Sequence, residues 1–236
     1  MASTIQLERT ILIGQQFLRL APLLFPTNAN NDPAFFCADW VKQMIMSPPF
    51  AWRWNRTGAT TVAPTFVTIA GQTDYLVNLP TFGFIEKATA YDPNNAFSPF
   101  ELQVSLNQAV DPLNNQPTRI TAQYDDDSGN ITFRIFPAPD IVYNVIVEYQ
   151  NSATLFAATT DTWAPIPDYL SYLYTSGFQA KVYEYANDPR YQVTMQLFLT
   201  QLAAASENLN MTEKNLWLQD RLNFVRQTSA VQAGRG

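Results

Sequence analysis

The amino-acid sequence predicts an α+β fold, a helical bundle body with an inserted antiparallel β-sandwich or barrel-like domain. Three observations predict it. Apolar residues recur at helical spacing up to about residue 47, at a period of two from about residue 60, and at helical spacing again from 165. The middle runs are short and are separated by turn residues at regular intervals, as in an antiparallel sandwich. No internal repeat is present, so the strand block reads as a single insertion whose two flanks return to one body. The expected boundaries are 1–56 for the N-terminal helices, 57–164 for the β domain, 165–226 for the C-terminal helices and 227–236 for a flexible tail.

In order along the chain, residues 4–21 place Leu7, Ile11, Leu12, Leu18 and Ala21 near one helical face, and Pro22 and Pro26 end that helix. A polar loop, 27–32, leads to Asp32-Pro33, a cap followed by proline in the first turn. The second helix runs past Trp40, Met44 and Ile45 to Ser47, where Pro48-Pro49 stops it. In the extended stretch that follows, Trp52 and Trp54 are two apart and face one side. They are the candidate anchor between body and sandwich.

Val62 to Ile69, Tyr75 to Val77, Phe84 to Tyr91, Arg119 to Tyr124, Asn130 to Phe136 and Tyr143 to Tyr149 read as strands. Residues 92–99 read as a Pro/Asn/Ser loop, and 127–130 as a hairpin turn. Pro167-Asp168 opens a helix through Leu173, Phe178 and Val182, in which Gly177 and Ala180 permit close approach of another helix. Asp188-Pro189 starts the next, with Met195, Phe198 and Leu202 at three- and four-residue steps. A pause near 208–210 and a new cap at Thr212-Glu213 precede Leu216, Trp217, Leu222 and Val225.

Composition excludes much chemistry. With no histidine and one cysteine, Cys37, neither a Ser-His-Asp nor a Cys-His arrangement is available, and a zinc site lacks ligands. Cys37 lies among Phe35, Phe36, Trp40 and Val41 and reads as a small core residue. Asp125, Asp126 and Asp127 do not follow the alternating ligand pattern of a calcium loop and read as a solvated hairpin tip. Glu86, Glu101 and Glu148 offer carboxylates, as any acidic chain does, with no pairing that marks a glycosidase. The expectation is no enzyme: no catalytic residue, cofactor or metal.

Charged residues are only 14% of the chain, against about a quarter for an average soluble domain. Uncharged surface is easily desolvated against a neighbour, which favours an oligomer. The net charge of −6 is concentrated in residues 57–166, with three basic and eleven acidic groups. Such a block repels nucleic acid rather than gripping it. Apolar runs are too short to span a bilayer and the start lacks a secretory signal pattern, so a soluble protein assembled in a cytoplasm is expected.

Several motifs occur in a specific order: Phe50-Ala51-Trp52-Arg53-Trp54-Asn55-Arg56; Gln72 to Tyr75; Phe82 to Ala88; Gly129-Asn130-Ile131; Phe136 to Asp140 with Tyr143; Gly177 to Lys181 and Tyr183-Glu184-Tyr185; and Asp188-Pro189-Arg190-Tyr191. In this order, over about 33–205, the chain resembles head-to-tail adaptor (connector) proteins of tailed bacteriophages, the group that includes tail tubular protein A-like gatekeepers. The resemblance implies a virion protein of the neck: a ring of self-associated subunits, commonly twelve, below the portal protein and above a tail or nozzle protein. DNA passes through its channel without sequence-specific binding, and no membrane is involved. It implies no catalytic residues.

Two expectations join this reading. If the acidic domain lines the channel, its charge keeps DNA from sticking during ejection. The capped C-terminal helix, with Leu216, Trp217, Leu222 and Phe224, is the candidate portal interface, ordering on the portal. The alternative is a carbohydrate- or receptor-binding β-sandwich of a virion, using some of the chain's aromatic residues as a sugar platform; Tyr75, Phe84, Phe133 and Tyr149 read instead as core.

Overall fold

Helix α1 (Leu7–Leu18) begins where the backbone N–H groups of Leu7 and Glu8 donate to the carbonyls of Asp161 and Thr159, at 2.8 and 2.9 Å, so two of its unpaired first-turn donors are met by a distant segment. This was seen in a computed structural model, which describes residues 2–18, 33–57, 63–105, 114–125 and 128–233. The stops at Pro22 and Pro26, the cap at Asp32 and the tip at Asp126 and Asp127 lie outside the described residues.

The chain divides into two units. One comprises residues 1–54 and 153–236, the other Asn55–Ser152. The first holds α1, α2 (Pro33–Met46), α3 (Ser171–Tyr185), α4 (Tyr191–Ala205) and α5 (Met211–Ala233). Helix α3 is central: α1, α2 and α4 all pack on it, and α5 packs on α4. Gly177 makes this possible, because a Cβ there would lie 2.8 Å from Phe198 of α4 and 2.9 Å from Val41 of α2. Cys37 is fully buried in α2.

The expectation of a helical bundle body is corrected here. A bundle fills its core from inward positions of facing helices. In this unit three of the four largest fully buried side chains, Trp52, Trp163 and Phe50, come from segments outside the helices. Trp163 stacks on Tyr174 of α3 with centroids 4.5 Å apart, meets the edge of Phe156, and donates its indole N–H to Thr10 Oγ1 at 2.9 Å. The helices therefore pack around irregular aromatic segments as much as on each other, and periodicity does not register residues held in coil.

The second unit is one curled, mixed, eight-stranded sheet, a half-barrel rather than an antiparallel sandwich. Its strands are β1 (Arg56–Thr57), β2 (Phe66–Val67), β3 (Asp74–Asn78), β4 (Phe82–Asp92), β5 (Asn95–Val104), β6 (Arg119–Asp125), β7 (Asn130–Phe136) and β8 (Asn144–Asn151). The order is β1-β8-β4-β5-β6-β7-β3, with β2 also on β8. All pairs are antiparallel except β5–β6, which is parallel. Parallel neighbours need a connection of about a dozen residues, and segment 105–118 supplies it. The expected loop 92–99 is mostly strand: Asp92 pairs with Asn95 in a tight hairpin, and β5 follows at once.

One face of the curl is the unit's core. Burial alternates along β7 and β8, and Ile131, Phe133, Ile135, Val145 and Val147 point inward. Phe66, Tyr75, Phe133, Phe82 and Tyr149 form a run of ring contacts with centroids 4.9 to 5.7 Å apart. Tyr75, Phe133 and Tyr149 are buried and Phe84 is half-buried.

Candidate interaction surface of the helical unit

The turn between α3 and α4 is built by the Asp-Pro-Arg motif. Asn187 takes a left-handed φ of 53°. The Asp188 carboxylate accepts the Arg190 backbone N–H at 2.9 Å and the Arg190 guanidinium at 2.6 Å, and the guanidinium lies over the Tyr183 ring at 4.3 Å. These bonds, the guanidinium first, pull the Asp188 carboxyl down to about 2. Exit from α3 and entry to α4 are thereby set by one local network.

Helix α4 reads Tyr-Gln-Val-Thr-Met-Gln-Leu-Phe-Leu-Thr-Gln-Leu-Ala-Ala-Ala and contains no charged residue. Met195, Phe198, Leu199 and Leu202 enter the core. The outward side presents Gln192, Val193, Gln196, Leu197, Thr200 and Ala204. Val193 is 73% exposed and Leu197, one turn on, 52%. A helix face in water normally carries charge; this one offers two large apolar side chains amid amides and small groups.

Helix α5 is packed on the same unit. Its cap is Asn210 rather than Thr212: Asn210 Oδ1 accepts the Glu213 N–H at 3.0 Å, and Glu213 Oε2 accepts the Asn210 N–H at 2.9 Å. The helix continues through Ala233, past residue 226. The four candidate interface residues divide between its faces. Trp217 meets the edge of Phe50 at 4.9 Å and Leu222 packs on the core near buried Val225. Leu216 and Phe224 are each 62% exposed.

Between α2, α3, α4 and α5 lies a cleft of about 210 Å³ whose lining includes Trp40, Met195, Lys181, Glu184, Arg221 and Phe224. That is below the roughly 300–1,000 Å³ of small-molecule sites, and suits a protruding side chain better than a whole ligand. Lys181 Nζ sits 4.6 Å from the Trp40 ring centroid and 2.7 Å from Glu184. Arg221 lies at the rim, 6.0 Å from the Trp217 ring, and forms no ion pair among the described residues.

At the start of α3, Tyr169 and Tyr172 are exposed, Tyr169 by 66%. Partial burial, and then the neighbouring Glu207 carboxylate and Tyr172, push the Tyr169 phenol up. Glu207 itself lies 3.4 Å from the Arg53 guanidinium, a pair too exposed to contribute much.

The candidate anchor residues meet inside the helical unit. Trp52 and Trp54 stack at 5.6 Å, brought together by the 3₁₀ turn at Arg53–Asn55. The Trp52 indole N–H donates to the Ile45 carbonyl at 2.7 Å, whereas that of Trp54 is buried without an acceptor. Nearby, Lys42 is only 3% exposed, donating to Thr154 Oγ1 at 3.2 Å and lying over the Phe156 ring at 4.6 Å. Burial pushes its amine down, opposed by Asp39 and Asp161; burial pushes the Asp39 carboxyl up, opposed by the Phe156 N–H and Lys42.

Sequence periodicity missed the outer face of α4 and the Tyr169/Tyr172 surface. The first was readable, since fifteen helical residues without charge stand out in the sequence. Among the described residues, no group of three His, Cys, Asp or Glu side chains comes together to hold a metal, and no helix is long and apolar enough to cross a membrane. No family model matches the chain and no curated protein matches it, so the surface is read from its own geometry.

Proposed function

We propose that this chain is a structural virion subunit, a head-to-tail adaptor that assembles into a ring in a phage neck, joins portal to tail and lets DNA pass. The observation that carries the reading is the charge-free outer face of α4, where Val193 and Leu197 stand exposed one turn apart. Depletion of charge with retained apolar area is the chemistry of a surface that is covered in an assembly. The ordered motif series supports the same reading, as does the sparse charge of the whole chain.

The carbohydrate-binding alternative has less support. Among the residues of the sheet unit whose side chains are described, the large exposed apolar ones are Val67, Ile69, Leu76, Val104, Ile141 and Val142, all aliphatic. Sugar rings are held on aromatic faces, and the aromatics of this unit go mainly to its core. The surplus of carboxylates in the sheet unit suits a wall past which DNA slides, since like charge repels phosphate.

The test is assembly. Wild-type protein, alone or with portal-containing particles, is expected to form rings or portal caps in negative-stain images. Val193→Glu with Leu197→Glu places two carboxylates on the outer face of α4 and is expected to abolish that assembly while leaving the thermal midpoint within a few degrees. A wild-type protein that stays monomeric, caps no portal and binds glycans would overturn the adaptor reading.

A further inference from the structure

The segment ahead of α1 is held in two ways. Along its length it forms a short antiparallel ribbon with residues 159–163. Gln6 pairs with Thr162, the Trp163 N–H donates to the Ile5 carbonyl at 3.1 Å, and the Leu7 and Glu8 N–H groups donate to Asp161 and Thr159. At its start a single carboxylate gathers the chain. Asp168 Oδ1 accepts the Ser3 hydroxyl at 2.6 Å and the Thr4 N–H at 3.1 Å, and Oδ2 accepts the Thr4 hydroxyl at 2.9 Å. Ser3 Oγ in turn accepts the Ile5 N–H at 3.1 Å. Bonds to an ionised acceptor are stronger than neutral ones, and those from Ser3 and then Thr4 hold the Asp168 carboxyl below its usual range.

The two sides of the ribbon are anchored unequally. The coil side is tied down independently of its partner. Asp39 of α2 accepts the Phe156 N–H at 2.8 Å, the buried Lys42 donates to Thr154, and Asp161 accepts the N–H groups of Ala157 and Ala158 at 2.7 and 2.8 Å, which closes the turn before the ribbon. Beyond the ribbon, Trp163 is stacked on Tyr174 of α3. The other side is held more lightly. Thr4, Glu8 and Arg9 are exposed, and the Thr4 bonds to Asp168 lie open to water. Of the side chains described in residues 3–14, the large buried apolar ones are Leu7 and Ile11, whereas α3 alone buries Leu173, Tyr174, Phe178, Val182 and Tyr183. A segment with few buried apolar groups and water-accessible hydrogen bonds opens locally, ahead of the unfolding of the whole.

We propose that residues 3–11 are a strap that opens and closes as one unit on a platform that stays folded, with Asp168 as its latch. Opening takes Thr10 away from the Trp163 indole N–H, to which it is bonded at 2.9 Å, and so uncovers one side of the Trp163–Tyr174 pair. It also frees the Thr159 and Asp161 carbonyls and the Trp163 N–H. Unpaired groups in such a row form a strand edge, which accepts an extended segment. The closed strap keeps that edge covered. The device is independent of the adaptor reading and holds for the single subunit.

Residue-resolved hydrogen exchange on the full chain tests it. In the wild type the amides of Leu7, Glu8 and Trp163, all bonded across the ribbon, should exchange at least about tenfold faster than those of Phe178 and Val182 inside α3. Two variants then release the latch from opposite sides. Ser3→Ala with Thr4→Val removes both hydroxyls and leaves the start of α3 untouched; Asp168→Asn removes the charge and keeps the shape. Each should speed the three strap amides about tenfold further, since each removes bonds to a charged acceptor. The Phe156, Ala157 and Ala158 amides of the platform and those of α3 should keep their wild-type rates. Strap amides that exchange at the α3 rate in the wild type would show that the segment does not open by itself, and the proposal falls. It falls equally if both variants speed strap and platform amides alike, or change neither.

Discussion

Replacing Gly177 by alanine sets two opposing effects against each other at the centre of the helical unit. On propensity alone the change should stabilise, since glycine inside a helix costs about 0.5–1 kcal/mol relative to alanine. The surroundings oppose it. The new Cβ would lie 2.8 and 3.0 Å from Phe198 ring carbons and 2.9 Å from Val41 Cγ1. Both neighbours are fully buried, they sit on different helices, and the Phe198 ring leans on Trp40 at 6.1 Å. Moving away from one crowds the other, so relief requires a helix to shift. Overpacking of this kind costs about 1–3 kcal/mol. The net expectation is a loss of about 1–2 kcal/mol, or several degrees in Tm at about 2–4 °C per kcal/mol for a chain of this size.

All five tryptophans, Trp40, Trp52, Trp54, Trp163 and Trp217, lie in the helical unit, so urea unfolding followed by tryptophan fluorescence reports that unit selectively. Gly14→Ala is the internal comparison. Among the described residues its Cβ would meet only the Phe178 ring edge, at 3.0 Å, and the variant should lie near neutrality. A Gly177→Ala variant stabilised by about 1 kcal/mol, as propensity predicts, would refute the close approach of α2, α3 and α4 at this point.

Lys42→Met keeps the apolar stem over Phe156 but removes the cation that opposes the rise of the Asp39 carboxyl. Because a carboxyl raised in the folded state binds its proton more tightly there, the stability deficit of Lys42→Met should be small near about pH 3 and grow as pH rises through the raised value; equal denaturation midpoints relative to wild type from about pH 3 to 7 would count against the coupling. Asn210→Ala removes the side-chain half of the capping box at α5 and should cost about 1 kcal/mol, read as an earlier fluorescence transition through Trp217; no change would mean that the packing of Trp217 and Val225 alone fixes the start of α5. Removing everything after Ser206 takes away Trp217 and Val225 as well as any docking surface. The truncated protein is therefore expected to lose stability on its own, and Leu216→Ser with Phe224→Ser is the sharper test of docking, expected to weaken portal capture with Tm unchanged.

Much of the local architecture follows from the sequence alone. The double proline at 48–49 ends α2, the Asp-Pro-Arg motif makes the α3–α4 turn, and alternation along 130–136 and 144–151 identifies two strands with their inward faces, because period and backbone chemistry act over a few residues. The use of Gly177 as a contact point was also legible, since only a missing Cβ admits a neighbouring helix that closely. The tertiary structure alone decided the rest. It put Trp52, Trp163 and Phe50 at the centre of the helical unit from segments with no period, and that is why a bundle was the wrong expectation. It made β5 and β6 parallel, because strand direction is set by where a long connection returns rather than by the pattern within either strand. It divided Leu216, Trp217, Leu222 and Phe224 between a buried and an exposed face, and it joined Trp40, Lys181, Met195 and Arg221 from four helices into one cleft. Which side chains stay in contact with water is a property of the packed whole, and the surface offered to a partner is what that packing leaves uncovered.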